Sequence, residues 1–423
     1  MLSLSSLIFW ITYAFLTYCA VFLLVTLFLK KDVPKLKKIK EWPGVTVIIP
    51  AYNEERCIAK TIKSVLNLDY PKDKLKVIVV NDGSKDNTLR EAKKFEKHGV
   101  LVLDQENQGK AAALNNGLKH VKTEYFACLD ADSVVRKDTL KKMMRYFTSK
   151  KVSAVCPLMK VENPKNLLQK LQWLEYVLYA YIKKIYALIN VVHVTPGPFS
   201  IYRTEVVKKL GGFDRNSIVE DQEIAWRMQK HHYVIMQSMD GEVLTDAPAT
   251  VKDLYKQRRR WYKGSLITIW KYKDMIFNKD YGDFGMFQAP VLLIGSFFLP
   301  LLTVAIFVYY FIYPICKTIY RWHLIHFQIL SNLKYDLTFS QLKSNWLMYD
   351  YTRIFIILFI LVVNIYWFKK AYEDSGEKIK PHHTIPLIIF FIAYYILLSF
   401  MWIGAMIEII KERLIYKKDK YQW

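Results

Sequence analysis

The sequence predicts an α/β domain with a mostly parallel sheet, joined to an α-helical membrane region. Three observations carry that expectation. From Val45 onward, short β-branched runs alternate with segments of helical period, the pattern of a parallel sheet with right-handed crossovers. Polar residues suited to ligand chemistry recur where those runs end, which is where open α/β sheets place their ligands. Four long stretches are almost free of charge, although the chain carries a net charge of +23.

Those stretches explain the composition. The chain of 423 residues is 52% hydrophobic and 15% aromatic, which fits its basic total only if the apolar residues are segregated. Leu2 to Leu29, Phe287 to Cys316, about Met348 to Phe368, and Ile385 to Ile410 are interrupted only by Asp350, Arg353 and Glu408. Each is long enough to cross a bilayer. The first has too long an apolar core for a signal peptide and no small-residue cleavage site, so it reads as a retained anchor. Lys30, Lys31, Lys35, Lys37, Lys38 and Lys40 follow, a basic cluster that marks a cytoplasmic membrane exit and suits anionic headgroups. The expected organisation is a membrane anchor over 1–29, a basic linker over 30–43, a cytoplasmic catalytic domain over 44–250, interfacial helices over 251–285, and about three further spans over 286–423. Four spans leave the carboxyl terminus outside, yet Lys411, Arg413, Lys417, Lys418 and Lys420 favour the inside; a fold-back of Phe287 to Cys316 at its prolines would remove the conflict. Dispersed lysines and the lack of binding-fold signatures argue against nucleic acid. The five cysteines contain no C-x-x-C pair and read as reduced packing residues.

Taken in order, Val45 to Ile49 is a first strand stopped by Pro50, and Ile58, Ile62, Val65 and Leu66 mark a helix. Val77 to Val80 is a second strand, Asp86 and Asn87 cap the next helix, and Val100 to Leu103 is a third strand. Gly109-Lys110 opens an alanine-rich helix, Phe126 to Leu129 is a buried parallel strand, a helix starts near Arg136, and Ala154 to Pro157 is another strand. Glu54, Asp82, Lys110, Asp130 and Asp132 all fall just after strand ends or at helix starts, so one crevice gathers them. Paired acids repel and are held most easily around a cation. An acid can also take ribose hydroxyls or a base edge, Tyr52 can stack on a base, and Lys110 can reach a phosphate. A turn, a cap or a solvated helix start would explain each residue alone, but not all of them together.

On Pro50-Ala51-Tyr52-Asn53-Glu54, Asn81-Asp82-Gly83-Ser84 with Asp86-Asn87-Thr88, Gly109-Lys110-Ala111-Ala112-Ala113-Leu114-Asn115, and Asp130-Ala131-Asp132, the chain resembles the family-2 glycosyltransferases. Their catalytic domain has a nucleotide-sugar-binding fold of the GT-A type. The resemblance implies that Ala51, Tyr52, Glu54, Asp82, Lys110, Asp130 and Ala131 bind the nucleotide, and that Asp132 holds a Mg2+ or Mn2+ bridging the diphosphate. Neither a Walker A sequence nor a G-x-G-x-x-G fingerprint is present, so P-loop and dehydrogenase readings fall away.

Further on, Leu167, Leu171, Leu174, Leu178, Ile185 and Ile189 recur at helical spacing among tyrosines, as suits a membrane interface or a core helix. Thr195 to Arg203, with Gly197 and Pro198, resembles the stiff segment before Tyr-Arg in hyaluronan and chitin-type synthases, and Gly211-Gly212-Phe213-Asp214 is similar to bacterial poly-N-acetylglucosamine synthases. Glu220 and Asp221 open a helix, where the dipole alone favours acids. By the resemblance, Glu220 and Asp221 are the catalytic acids, and Asp221 is the base that deprotonates the acceptor hydroxyl. Gln257, Arg260 and Trp261 form the Q-x-x-R-W signature of membrane-bound members: Arg260 faces the diphosphate, while Gln257 and Trp261, with Gly197 and Pro198, meet the acceptor sugar.

The function these residues imply is an inverting processive glycosyltransferase that polymerises a β-linked polysaccharide from a UDP-sugar, UDP-N-acetylglucosamine first, and passes it across the membrane. Its partners would be the UDP-sugar donor, the growing glycan and the bilayer, with room for an accessory membrane subunit. One alternative is a transferase that glycosylates a lipid once. Another, from a different class, is a transport or scaffold protein whose nucleotide domain only binds.

Overall fold

The computed structural model describes residues 4–29, 36–324, 351–377 and 383–414. Its centre is one eight-stranded sheet. β1 (Val45–Ala51), β2 (Leu75–Asp82), β3 (Val100–Gln105) and β4 (Tyr125–Cys128) lie parallel, with β1 between β2 and β4. Beyond β4 the sheet is mixed. β5 (Val134–Val135) runs antiparallel to β8 (Val234–Thr245), and β7 (Ser200–Arg203) is antiparallel to both β4 and β6 (Val152–Val161), while β6 and β8 are parallel. β1 and β4 are buried on both faces, which is why they read as continuous apolar runs rather than alternating ones.

Four local expectations change. Pro50 does not stop the first strand, which continues to Ala51. Past Ile48 the ladder with β4 ends, so a missing N–H on that side costs no sheet bond. β2 and β3 run two residues further than their apolar runs, so Asp82 is the last strand residue rather than a loop residue. Asn87 does not cap the following helix, α3 (Thr88–Lys93); Asp86 Oδ1 accepts from Thr88 N at 3.0 Å instead. The helix expected near Arg136 begins at Thr139, because β5 and a turn come first.

The other helices place the site. α1 (Leu4–Leu29) is the first apolar helix, α2 (Ile58–Leu66) follows β1, and α4 (Lys110–Lys119) packs on the sheet through small residues. A Cβ at Gly117 would come within 2.6 Å of Ile48, so α4 lies close on β1 and sets Lys110 at its amino end beside the end of β4. α5 (Thr139–Met144) leads to α6 (Leu167–Leu188), which opens with a capping box between Asn166 and Gln169. α7 (Thr204–Lys209), α8 (Glu220–Lys230) and α9 (Val251–Lys271) follow.

Among the described residues, four helices are long and apolar enough to cross a membrane: Trp10–Leu29, Phe284–Phe307, Ile354–Asp374 and Thr384–Glu412. The expected fold-back within Phe287 to Cys316 does not occur. α10 (Ala289–Phe307), a π turn (Val308–Ile312) and α11 (Tyr313–Leu324) form a continuous helical run, with Pro290 in the first turn, where its donor is not needed, and the π turn just before Pro314. Lys317 to Leu324 continues that run, whereas 325–350, the basic residues 30–35 and the tail after Leu414 lie outside the described residues. Lys184 pairs with Asp374 at 2.6 Å, and Lys263 pairs with Glu412 at 2.6 Å. The end of the third apolar helix therefore sits beside α6, and the far end of the last one beside α9. α6 is a core helix, one buried cluster running through Leu174, Tyr181, Trp226, Leu254, Phe368 and Tyr394.

Candidate active site

At the carboxyl edge of the parallel strands, Lys110 lies between two carboxylates, 2.6 Å from Asp130 Oδ1 and 2.9 Å from Glu220 Oε1. Gly197 closes over this triad. A Cβ there would stand 2.6 Å from Lys110 Nζ and 2.8 Å from Asp130 Oδ2, so only glycine leaves the ion pair where it is. The turn after β4, helix α4, the 195–199 loop and the first turn of α8 thus meet around one ammonium. Burial works against the Lys110 charge, but its acids win and hold it protonated above its ordinary range. Burial also disfavours the Glu220 carboxylate, and Lys110 outweighs that and keeps it ionised.

Asp221 follows Glu220 and behaves differently. Burial, then the Glu220 charge, push it up to about 6, with Lys110 and Arg260 pulling the other way. A carboxyl poised there can give and take a proton near neutrality. Its backbone carbonyl accepts from Thr195 Oγ1 at 2.8 Å and Thr195 N at 3.2 Å, which ties the Gly197 loop to the start of α8. Asp132, on the other flank, is pushed up to about 6 by burial and by Asp130, and Glu54 to about 7 by burial, Asp132 and Asp130. Thr61 Oγ1 donates 2.7 Å to the Ala131 carbonyl, which fixes the turn between the two aspartates against α2.

These neighbours test the metal expectation. The described residues hold no group of three or more His, Cys, Asp or Glu placed to take an ion. Magnesium commonly takes one or two carboxylates and completes its shell with substrate phosphates and water. Asp132, near Asp130 and with Ser133 Oγ 3.0 Å from its Oδ1, fits an ion held jointly with a diphosphate.

The nucleotide-side residues are assembled but not alike. Ala51 is buried at the end of β1, and Tyr52 is 45% exposed beside it. Asp82 accepts three bonds from its own chain, from Gln105 Nε2 at 2.7 Å, Gln108 N at 3.0 Å and Gly109 N at 2.9 Å. It holds the loop that delivers Lys110. Gly83, at φ +68°, would drive a Cβ to 2.6 Å from Asn107 N, so the turn beside it also requires glycine.

On α9, Arg260 is exposed and close enough to act on Glu220 and Asp221. Pro198 is buried behind Gly197, and Phe199 takes a left-handed φ of +61° to turn the loop into β7. Trp261 is half-buried, and the Arg258 guanidinium carbon lies 4.4 Å from its ring centroid. Gln257 keeps a buried Oε1 with no hydrogen-bond partner among the described residues. Tyr176 of α6 is buried, and burial pushes its hydroxyl up to about 12 while Arg258 pulls the other way.

Sequence reasoning missed Arg258, Glu175, Thr195 and Thr61. Arg258 reads as one of three arginines near a bilayer, yet it is only 3% exposed and forms a two-pronged pair with Glu175 at 2.8 and 2.7 Å. A signal existed: Glu175 is the sole acid in the 22 residues of α6.

Residues 46–211 match the family described as Glycosyl transferase family 2. The chain is 34% identical over 225 residues to a poly-beta-1,6-N-acetyl-D-glucosamine synthase of Staphylococcus epidermidis, covering 52% of this chain and 54% of that one. It is likewise 34% identical over 230 residues to the synthase of the same name from Staphylococcus aureus strain COL, covering 53% and 55%. The chain thus spans about half the length of the curated relatives it matches. Among solved structures, a mannosyltransferase from Pyrobaculum calidifontis, in complex with GDP-Man and Mn2+, shares the fold with a TM-score of 0.64 at 17% identity, over 98% of this chain and 100% of that one. Residues 46–211 of this chain are a domain of glycosyl transferase family 2, of GT-A-like mixed sheet.

Proposed function

We propose that the chain is an inverting, membrane-associated glycosyltransferase that extends a β-linked polysaccharide from a UDP-sugar, with UDP-N-acetylglucosamine as the first donor to test. The observation that carries this reading is the Lys110 triad under Gly197, with Asp221 on one flank and Asp132 on the other. The similarity to curated poly-beta-1,6-N-acetyl-D-glucosamine synthases supports the donor and the polymeric product.

In this reading Asp221 accepts the proton of the acceptor hydroxyl, whose oxygen attacks the anomeric carbon while the bond to the diphosphate breaks on the opposite face. Thr195 holds the Asp221 backbone in place for that transfer. Lys110 and Arg260 offset charge on the departing diphosphate, as fixed cations do at developing anions. A Mg2+ or Mn2+ on Asp132 would add Lewis-acid stabilisation of the same oxygens. Three of the four lone-pair positions of Asp82 are already taken, so its role is to fix the 105–109 loop, with one position left for the nucleoside. Tyr52, Glu54 and Ala51 line the base and ribose, and Gln257 and Trp261 take the acceptor.

The catalytic region faces the cytoplasm in this account, the side marked by the basic cluster that follows the first apolar helix. Incubating the full chain with radiolabelled UDP-sugars and a divalent cation tests the reading. A long polymer supports it, a single-sugar lipid product would favour one-step transfer, and no incorporation from any UDP-sugar would overturn it.

A further inference from the structure

The Trp261 ring is gripped from outside its own motif. Arg258 and Trp261 are three residues apart on α9 and share a face, and the guanidinium lies over the ring at 4.4 Å. Arg258 is buried, and a buried cation needs a partner with good geometry. Glu175 supplies it from α6 through two bonds of 2.8 and 2.7 Å, and a two-pronged carboxylate fixes the plane of a guanidinium as a single bond cannot. Glu175 Oε2 also accepts from Tyr394 Oη at 2.8 Å, so the last apolar helix holds the carboxylate in turn. The ring cannot tilt without disturbing a buried ion pair shared by three elements.

We infer that Glu175 is a positioning residue for the acceptor sugar: through Arg258 it sets the plane of Trp261 and covers one ring face, leaving the opposite face to the glycan. The inference rests on the reading of Trp261 as the acceptor platform. A purely structural staple would weaken every step alike, whereas a positioning role falls on the acceptor alone.

The test measures KM for a defined N-acetylglucosamine oligomer and for UDP-N-acetylglucosamine, with the full chain in lipid nanodiscs, for wild type, Trp261→Ala, Glu175→Gln and Tyr394→Phe. Glu175→Gln is expected to raise the acceptor KM by about 10-fold while the donor KM stays within about twofold, with shorter products, because lost alignment rather than lost chemistry is the defect. Tyr394→Phe removes one hydroxyl and leaves the ion pair intact. It is expected to raise the acceptor KM about two- to threefold, and it decides the matter if Glu175→Gln does not fold. Unchanged acceptor KM in the folded variants, or donor and acceptor KM rising together, overturns the inference alone. A wild type that makes no glycan from any UDP-sugar overturns the functional reading, and this inference with it.

Discussion

The two flanks of Lys110 are built differently. The donor side is made of strand ends and the turns that follow them, and each residue is held from within the parallel-strand half of the domain: Glu54 N donates to Thr88 Oγ1, Asp82 takes the Gly109 amide, and Ala131 is pinned by Thr61. The acceptor side is made of helices, and its residues are held over long sequence separations. Arg258 answers to Glu175, and Glu175 to Tyr394, from the opposite end of the chain. In the proposed reading, the parallel-sheet half builds the diphosphate site by itself, whereas the acceptor platform is set with the help of the last apolar helix.

If the donor side is a charge device, removing its charges should abolish transfer without unfolding the domain. Asp132→Asn, or chelation of divalent ions, is expected to lower kcat by about 1,000-fold, the scale of losing one electrostatic stabiliser, while the melting temperature changes little. Initial rates with added Mg2+ or Mn2+ measure this, and full activity in chelator would show that no ion is needed.

A steric probe comes next in size. Gly197→Ala places a methyl against Lys110 Nζ and the Asp130 carboxylate, which must move aside. An expected loss of about 100-fold in kcat, without loss of fold by circular dichroism, follows from a small misplacement of reacting groups.

The acceptor side should speak through pH. Burial and Glu220 push Asp221 up to about 6, and a base there works only when ionised, so kcat should rise as pH rises through about 6 and level off above it. Arg260 lowers that value, so Arg260→Gln should move the midpoint upward by up to about one pH unit. A pH–rate profile of both proteins checks the sign. The smallest effect is expected at the seam between α9 and the last helix. There Glu412 pairs with Lys263 and Trp402 packs on Tyr262 with ring centroids 3.9 Å apart, so Glu412→Gln should cost about 1 kcal/mol or less of stability and leave kcat intact.

The same contrast explains what could be read in the sequence. Asp130, Asp132, Lys110 and the parallel strands before them were legible because apolar runs ending in charge report a buried strand and its ligand edge. The antiparallel course of β7 was not, since periodicity carries no direction. Pro50 follows the general rule against proline in strands, and the shortness of β4 overrides that rule. The prolines of the second apolar helix suggested a reversal, and a π turn absorbs the last of them instead. Glu175 was hidden because an acid in an apolar helix says that a partner exists, not which residue it is.

The claim beneath this account is that both flanks serve one reaction, with Asp221 as its base. Measuring UDP affinity and transfer rate together for Asp221→Asn tests it most directly. The account predicts wild-type UDP binding with turnover reduced by roughly 100- to 10,000-fold. A folded Asp221→Asn protein that turns over near the wild-type rate would contradict it.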